Sequence, residues 1–405
     1  MERPKSGFEE SRVSVVIFLL FFAITFLIYY ITSEGHPTHY NNFVRLADAF
    51  LHGRLYLTEN VKWLELAILE GKYYIVPPPM PSILLLPFVA IFGLSTDQTL
   101  ASIFLGSLNV SLAFLVVREL TKSRSVQLWT TVMFGFGTIH WWLATTGWVW
   151  FFSLVTSVTF LFLAIYVTLK GKRPFLAGFF LGASYWSRLP TILSLPFFIL
   201  MFSDKWLNKS KEKNFFNRIN PKPLLHLSLG VGIFVALNCI YNFLRFGTPL
   251  DVSYYLIPGL LQEPWYKEGL FDITYIPRHL RVIFAAFPIF LSKPPYVMPS
   301  WGGLAIWITT PAFIYALLAG IRNKLAFACW SAIIPIALLD FSHGGTGWIQ
   351  FGYRYAVSFY PFLFLLTVKG IGDRIRWHHM VLISLGVIVN LWGVLWINKF
   401  GWVRW

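Results

Sequence analysis

Charge is scarce in this sequence. Of 405 residues only 13% are Asp, Glu, Lys or Arg, whereas a soluble globular domain carries about 25%. Cysteine is nearly absent. Cys239 and Cys329 both fall inside apolar runs, so no disulfide framework exists and the redox compartment is not readable. There is no HExxH, no clustered Cys and no paired DxD in the long loops. No cofactor is therefore expected, while a divalent metal on scattered carboxylates stays open. No internal repeat is visible, which argues against inverted-repeat transporter designs. No soluble domain is expected at either end.

What is present is hydrophobic: 56% of the residues are apolar and 19% aromatic. Runs of about 20 apolar residues recur, each long enough to cross a bilayer as a helix. Val13 to Thr32 lacks a small-residue cleavage site and follows acids, so it reads as a retained first span, not a signal peptide. The net charge of +15 does not indicate nucleic acid, because the basic residues are scattered over short loops instead of gathered on one face. They orient the protein and touch anionic headgroups.

Short basic loops belong in the cytoplasm. Most of the 33 Lys and Arg then share one side: Arg3, Lys5 and Arg12, Arg118/Lys122/Arg124, Lys170/Lys172/Arg173, Lys205 to Lys222, Arg322/Lys324 and Lys369/Arg374/Arg376. Asp48, Glu65, Asp251, Asp272 and Asp340 fall on the other. The expected fold is an all-α integral membrane protein, one domain over 1–405 with about eleven transmembrane helices. The spans are 13–32, 98–117, 126–144, 149–169, 174–187, 190–203, 224–244, 304–321, 325–341, 355–369 and 380–398. Long outer loops cover 33–97 and 245–303. Two shorter apolar stretches, 81–94 and 282–292, are placed in the outer interface, since letting either cross would put basic loops outside.

Tyr40 to His52 reads as an amphipathic surface helix ending at Gly53. Asn41, Arg45, Asp48 and His52 form its polar stripe, which sets one carboxylate between two potential cations. A carboxylate so held is a candidate general base. An ordinary solvated face has the same pattern. Glu65 follows, then Gly71 to Pro81, whose prolines force extended backbone.

The order of these segments resembles the GT-C class of polytopic membrane glycosyltransferases. The outline is similar to the group of protein O-mannosyltransferases and lipid A aminoarabinose transferases. The residues that carry the resemblance are "FVRLADAFLHGRLYL", "GKYYIVPPPMPSILLLPFVAIFG", "FGFGTIHWW", "SRLPTILSLPFF", "YNFLRFGTPLDVSYY", "LFDITYIPRHL" and "GGTGWIQFGYRYAVSFYPFLFLL". The resemblance implies a polyprenyl-phosphate-linked sugar donor and inverting transfer on the non-cytoplasmic face, in a plasma-membrane protein. It also implies a catalytic acid in the first outer loop, a few residues before the Tyr matched by Tyr40. This sequence holds Glu34-Gly35-His36-Pro37-Thr38-His39 there, which leaves Asp48, Glu65 and Glu34, in that order, as candidate bases.

A lipid-phosphate donor needs a cation, and the planar fork of Arg suits phosphate. Arg354, beside Tyr353 in Gly352-Tyr353-Arg354-Tyr355, and Arg188, at the apex of the shortest helical hairpin, are the candidates. Each also fits a structural role, Arg354 as an interface anchor with Asp340 as a competing partner. His343 among glycines, and His52, are candidate contacts to phosphate or sugar hydroxyls. His140, Trp141, Trp142, Trp148 and Trp150 read mainly as an interfacial aromatic belt. The expected acceptor is a lipid, glycan or protein, recognised by the bundle and outer loops. A transporter or flippase for an amphiphile, or a non-catalytic member of the class, has the same general outline. The former would place ionisable groups deep in several spans, and few are there.

Overall fold

The computed structural model describes residues 6–171, 173–207 and 219–405. Arg3, Lys5, Lys172 and most of the basic loop from Lys205 to Lys222 lie outside the described residues. The first apolar run forms α1 (Ser6–Thr32). The surface helix is α2 (Asn42–Leu51), with Phe43, Val44, Leu46 and Ala47 buried on its apolar face. A hairpin follows, β1 (Leu66–Leu69) pairing antiparallel with β2 (Lys72–Ile75), with Glu70 and Gly71 both at positive φ in the turn. The prolines after it then start α3 (Met80–Phe92), which packs on α2. At 13 residues it is too short to span.

Asp97 caps α4 (Gln98–Leu120), accepting from the Thr99 and Leu100 N–H groups at 2.8 and 3.1 Å. The span expected at 126–144 is broken into α5 (Arg124–Phe136) and α6 (His140–Thr146) by Gly137-Thr138-Ile139. Gly147 (φ +63) ends α6, and a Cβ there would lie 2.6 Å from Thr99 Cα. Only glycine lets that corner meet the start of α4. α7 (Val149–Lys170) and α8 (Pro174–Tyr185) follow. The span expected at 190–203 starts as a 3₁₀ turn, Leu189–Ser194, before α9 (Leu195–Met201) and the single turn α10 (Ser203–Trp206).

The long helix α11 (Lys222–Phe246) crosses α8 closely. The second long loop carries α12 (Ile276–Ala285) and a hairpin of β3 (Ile289–Phe290) and β4 (Val297–Met298). The stretch 282–292 therefore ends a helix and enters a strand. The two hairpins are an addition to the all-helical expectation, confined to the long loops. The span expected at 304–321 is one turn, α13 (Ile306–Thr309), followed by 3₁₀ backbone over Pro311–Ala319. α14 (Lys324–Phe341), α15 (Tyr360–Ile371) and α16 (Trp377–Asn398) complete the bundle.

Six of these helices are long and apolar enough to cross a membrane. The protein is an integral membrane protein. Helices α4 and α7 are the most enclosed, while α1, α11 and α16 show aliphatic faces to the surroundings, as lipid-facing helices do. Two ends of the bundle are distinct. At one, the basic loops meet: Thr121 donates to Asp373 at 3.1 Å and Lys324 to Asp204 at 2.8 Å. At the other, Asn398 donates to Thr32 O and Thr145 Oγ1, both at 3.0 Å, beside the long loops. Of the five residues expected in an aromatic belt, Trp148 and Trp150 are half-buried and the other three are not at the surface. His140, Trp141 and Trp142 are buried. His140 contacts Asn109 Nδ2 at 3.0 Å and Tyr29 OH at 3.4 Å, so these rings pack the centre.

Candidate active site

At the long-loop end a cavity of about 1030 Å³ opens between Val76-Pro77-Pro78, the start of α7, the α8 turn, the second long loop and the segment 339–355. Four charged side chains from distant parts of the chain meet in it, Glu65, Arg188, Asp340 and Arg354, with Asp251 and Glu263 also in its wall. Ser153 Oγ donates to Ser187 O at 2.6 Å and fixes the turn that presents Arg188. Arg188 donates from Nη2 to Asp340 Oδ1 at 2.9 Å, and its guanidinium lies 4.9 Å from the Tyr355 ring centre. The second oxygen of Asp340 has no partner among the described residues. Asp340, expected opposite Arg354, thus pairs with Arg188 instead.

Arg354 is 8% exposed and forms no ion pair among the described residues. Its guanidinium stands 5.4–5.6 Å from the ring centres of Phe151, Trp150 and Tyr355, and its Nε lacks a hydrogen-bond partner. Aromatic faces recover only part of a buried cation's lost hydration, and the charge of Arg354 also reaches Glu65 in the same cavity.

Glu65 enters from the loop before β1 and accepts from Trp150 Nε1 at 3.2 Å. Burial pushes its carboxyl above the usual range, against the Trp150 hydrogen bond and the charge of Arg354, while Glu263 adds a further upward push. His343 also lines the cavity, with the rings of Tyr254, Tyr266, Phe271 and Tyr355 at 5.4–5.9 Å. Burial lowers its pKa to about 4, so its imidazole is neutral at pH 7. Tyr353 lies behind the wall. Its hydroxyl meets His279 Nδ1 at 2.7 Å, and His279 Nε2 meets His343 O at 2.8 Å. This chain braces the segment from His343 to Tyr355.

The other sequence candidates are elsewhere. Asp48 sits on α2, 3.7 Å from His52 Nδ1, and lines no part of this cavity. Arg45 donates to Asn41 Oδ1 at 2.9 Å, so the cation pair expected around Asp48 reduces to His52, which is largely exposed. Glu34 lies 3.8 Å from His36 Nε2. Burial raises its pKa, while His36, His39 and Lys399 lower it; it too is outside the cavity wall. Asp340 in its actual pairing, Glu263 and the role of Trp150 were missed from sequence, since no local spacing links residues 85 or 152 positions apart. Among the described residues no three His, Cys, Asp or Glu gather as a metal site.

No family model matches the chain, and no curated protein matches it in sequence. Solved structures do match. ArnT from Cupriavidus metallidurans bound to undecaprenyl phosphate superposes with a TM-score of 0.55 at 13% identity, over 93% of this chain and 64% of that one. The apo state of ArnT gives 0.51 at 14% identity, over 90% and 61%. AglB from Archaeoglobus fulgidus, in complex with an inhibitory peptide and a dolichol-phosphate, gives 0.47 at 14% identity, over 95% and 55%. The chain spans less than two thirds of the length of each of these structures. What it shares with ArnT is the architecture, and that architecture is the GT-C membrane glycosyltransferase fold.

Proposed function

We propose that this protein is a membrane glycosyltransferase that takes a sugar from a polyprenyl-phosphate carrier on the non-cytoplasmic face of the plasma membrane. The observation that carries the reading is the convergence of Arg354, Arg188 and Glu65 on one cavity in a GT-C fold. ArnT is described with undecaprenyl phosphate bound, which supports a lipid phosphate as the anion that Arg354 lacks. The apolar wall of Pro77, Leu154, Leu189, Leu339 and Ile257 suits the prenyl tail beside the phosphate.

In the proposed reaction Glu65 takes the proton of an acceptor hydroxyl or amine. The freed lone pair attacks the anomeric carbon from the face opposite the phosphate. The bond from that carbon to the phosphate oxygen breaks, its electron pair goes to the phosphate, and the configuration inverts. Arg354 and Arg188 stabilise the charge that grows there. Asp340 holds Arg188 in place between turnovers. Glu65 is preferred to Asp48 and Glu34 because it alone of the three lines the cavity. About eleven passes, counting the short and broken ones, would complete the bundle.

The test is incubation of purified protein with a panel of undecaprenyl-phosphate sugars, with release of undecaprenyl phosphate as the readout. Release that depends on an added acceptor is expected. Movement of the lipid-linked sugar across a vesicle membrane with no release would favour a flippase.

A further inference from the structure

The mouth of the cavity differs in chemistry from its floor. Trp265, Trp348 and Trp405 line one side of it together with Glu263. The ring centres of Trp265 and Trp348 are 4.6 Å apart, and those of Trp348 and Trp405 are 5.5 Å apart. Trp348 is 41% exposed and Trp405 65%, against 8% for Arg354 and 4% for Asp340. Trp348 and Trp405 are thus the exposed part of this lining, Trp265 is half-buried behind them, and Arg354 and Asp340 are buried. We infer that this cluster is a subsite that stacks a pyranose ring, and that the acceptor is a glycan whose sugar sits on Trp348 and Trp405 with its hydroxyls on Glu263.

An interfacial tryptophan belt is the competing reading. Belt residues need only reach the headgroup layer. These three are held by a built frame. Arg278 donates to Trp265 O at 3.2 Å and to Gly344 O, joining the two loops that carry Trp265 and Trp348. Asp272 N donates to Ser342 O at 2.7 Å and Gly344 N to Leu270 O at 2.9 Å, closing the same junction. Gly344 is required there, because a Cβ would collide with the Tyr266 ring. Trp301 N donates to Arg404 O at 2.8 Å and so positions the segment that bears Trp405.

The backbone between these anchors is strained. Trp348 and Ile349 both adopt positive φ, +28° and +38°, a region that bulky and β-branched residues avoid. Such strain persists where the surroundings enforce it, and it clusters at ligand sites.

An exposed indole offers a flat apolar face to the axial C–H bonds of a sugar. A carboxylate accepts hydrogen bonds from neighbouring hydroxyls. Glu263 forms no ion pair among the described residues, so its oxygens are not committed to a cation. It is close enough to Glu65 for the two charges to interact. A sugar bound at Glu263 therefore occupies the same cavity as the proposed base. The assignment deepens the proposed transfer reaction by naming its acceptor class, and rests on that reaction for its purpose.

Saturation-transfer NMR on the full chain in nanodiscs tests it, avoiding maltoside detergents whose headgroups would compete. The probes are methyl α-glucoside, methyl α-mannoside, methyl α-galactoside and a threonine-containing tripeptide. Ring C–H signals are expected from at least one pyranoside. Its affinity should fall about 3- to 10-fold in Trp348→Ala and in Trp405→Ala, the loss of one aromatic stack, and be largely retained in Trp348→Phe. Absence of any pyranoside signal, equal affinity in the Ala variants, or saturation of the tripeptide alone overturns the subsite. Undecaprenyl phosphate binding, measured on the same proteins, should be unchanged by either Trp variant. A loss confined to an undecaprenyl-phosphate sugar would make the platform a donor seat and overturn the acceptor assignment. Pyranoside binding without undecaprenyl phosphate binding in the unmodified protein would sink the transfer reaction and leave the sugar subsite standing.

Discussion

At the residue scale the cavity depends on unequal treatment of like groups. Both arginines are largely withdrawn from water, yet Arg188 is ion-paired to Asp340 and Arg354 forms no ion pair among the described residues. If the missing anion is a lipid phosphate, Arg354→Ala should weaken undecaprenyl phosphate binding strongly, while Arg354→Lys keeps the charge, loses the fork and retains part of it. Isothermal titration of well-folded variants reads this directly. Unchanged affinity in Arg354→Ala removes Arg354 from the site. Equal behaviour of Lys and Arg would mean that a point charge suffices.

Glu65 supplies a pH prediction. A base works only when ionised, and burial raises the Glu65 carboxyl above its ordinary value. The acidic limb of the rate profile should therefore lie above the usual carboxylate range, with activity rising as pH increases through it. Because Arg354 lowers the Glu65 pKa, its removal should move the limb higher still. The sign for stability is opposite. A raised carboxyl disfavours the charged folded form, so the contribution of Glu65 is fully present at low pH and is lost as pH rises through the raised value. Glu65→Gln should cut turnover by roughly 10²–10⁴ without loss of insertion, and Asp48→Asn should leave it intact. The reverse pattern would return the role to the surface helix.

At the element scale, glycine decides how closely helices approach. A Cβ at Gly178 of α8 would strike Leu227 O of α11, and one at Gly230 of α11 would strike Phe175 O of α8. Small residues allow such contact between helices in lipid, where no hydrophobic drive draws them together. Gly230→Val should cost on the order of 1–3 kcal/mol by overpacking, seen as a lower melting temperature by thermal-shift fluorescence. Gly232, whose Cβ would meet nothing within 4 Å, provides the control: Gly232→Ala should be close to neutral. Comparable losses at both positions would show that the crossing is not the cause. α2 illustrates a pattern read correctly in kind but not in use. Its apolar face was legible from spacing, and that face is buried against protein, including α3 and α7, not laid on lipid.

At the scale of the whole molecule, topology is the testable property. Single cysteines at Thr58 and Ser125, both exposed, in a Cys239→Ser, Cys329→Ala background, should react with an impermeant thiol reagent from opposite sides of the membrane. Labelling from one side sinks the proposed orientation and the non-cytoplasmic site with it. The long apolar runs and the basic loops between them made the membrane class, the six long helices and the separation of two ends readable in advance. They are local quantities, set by the cost of hydrating or burying each segment. The broken passes at Gly137 and Pro311 were less legible, because their composition is that of a span and only the packing of neighbours shows where the helix gives way. The lining of the candidate cavity was partly legible. Arg188, Arg354, Glu65 and His343 could be picked as unusual residues, since an ionisable group at a membrane boundary stands out against apolar surroundings. Which of them meet could not be read. Glu65 reaches Trp150 across 85 positions and Arg188 reaches Asp340 across 152. Those pairings follow from which helices pack side by side, and that depends on side-chain shape summed over the whole bundle. No short-range pattern carries it, so the sequence by itself determined the membrane class and the candidate groups, and only the tertiary structure decided that Asp48 stands apart while Glu65 joins the cations.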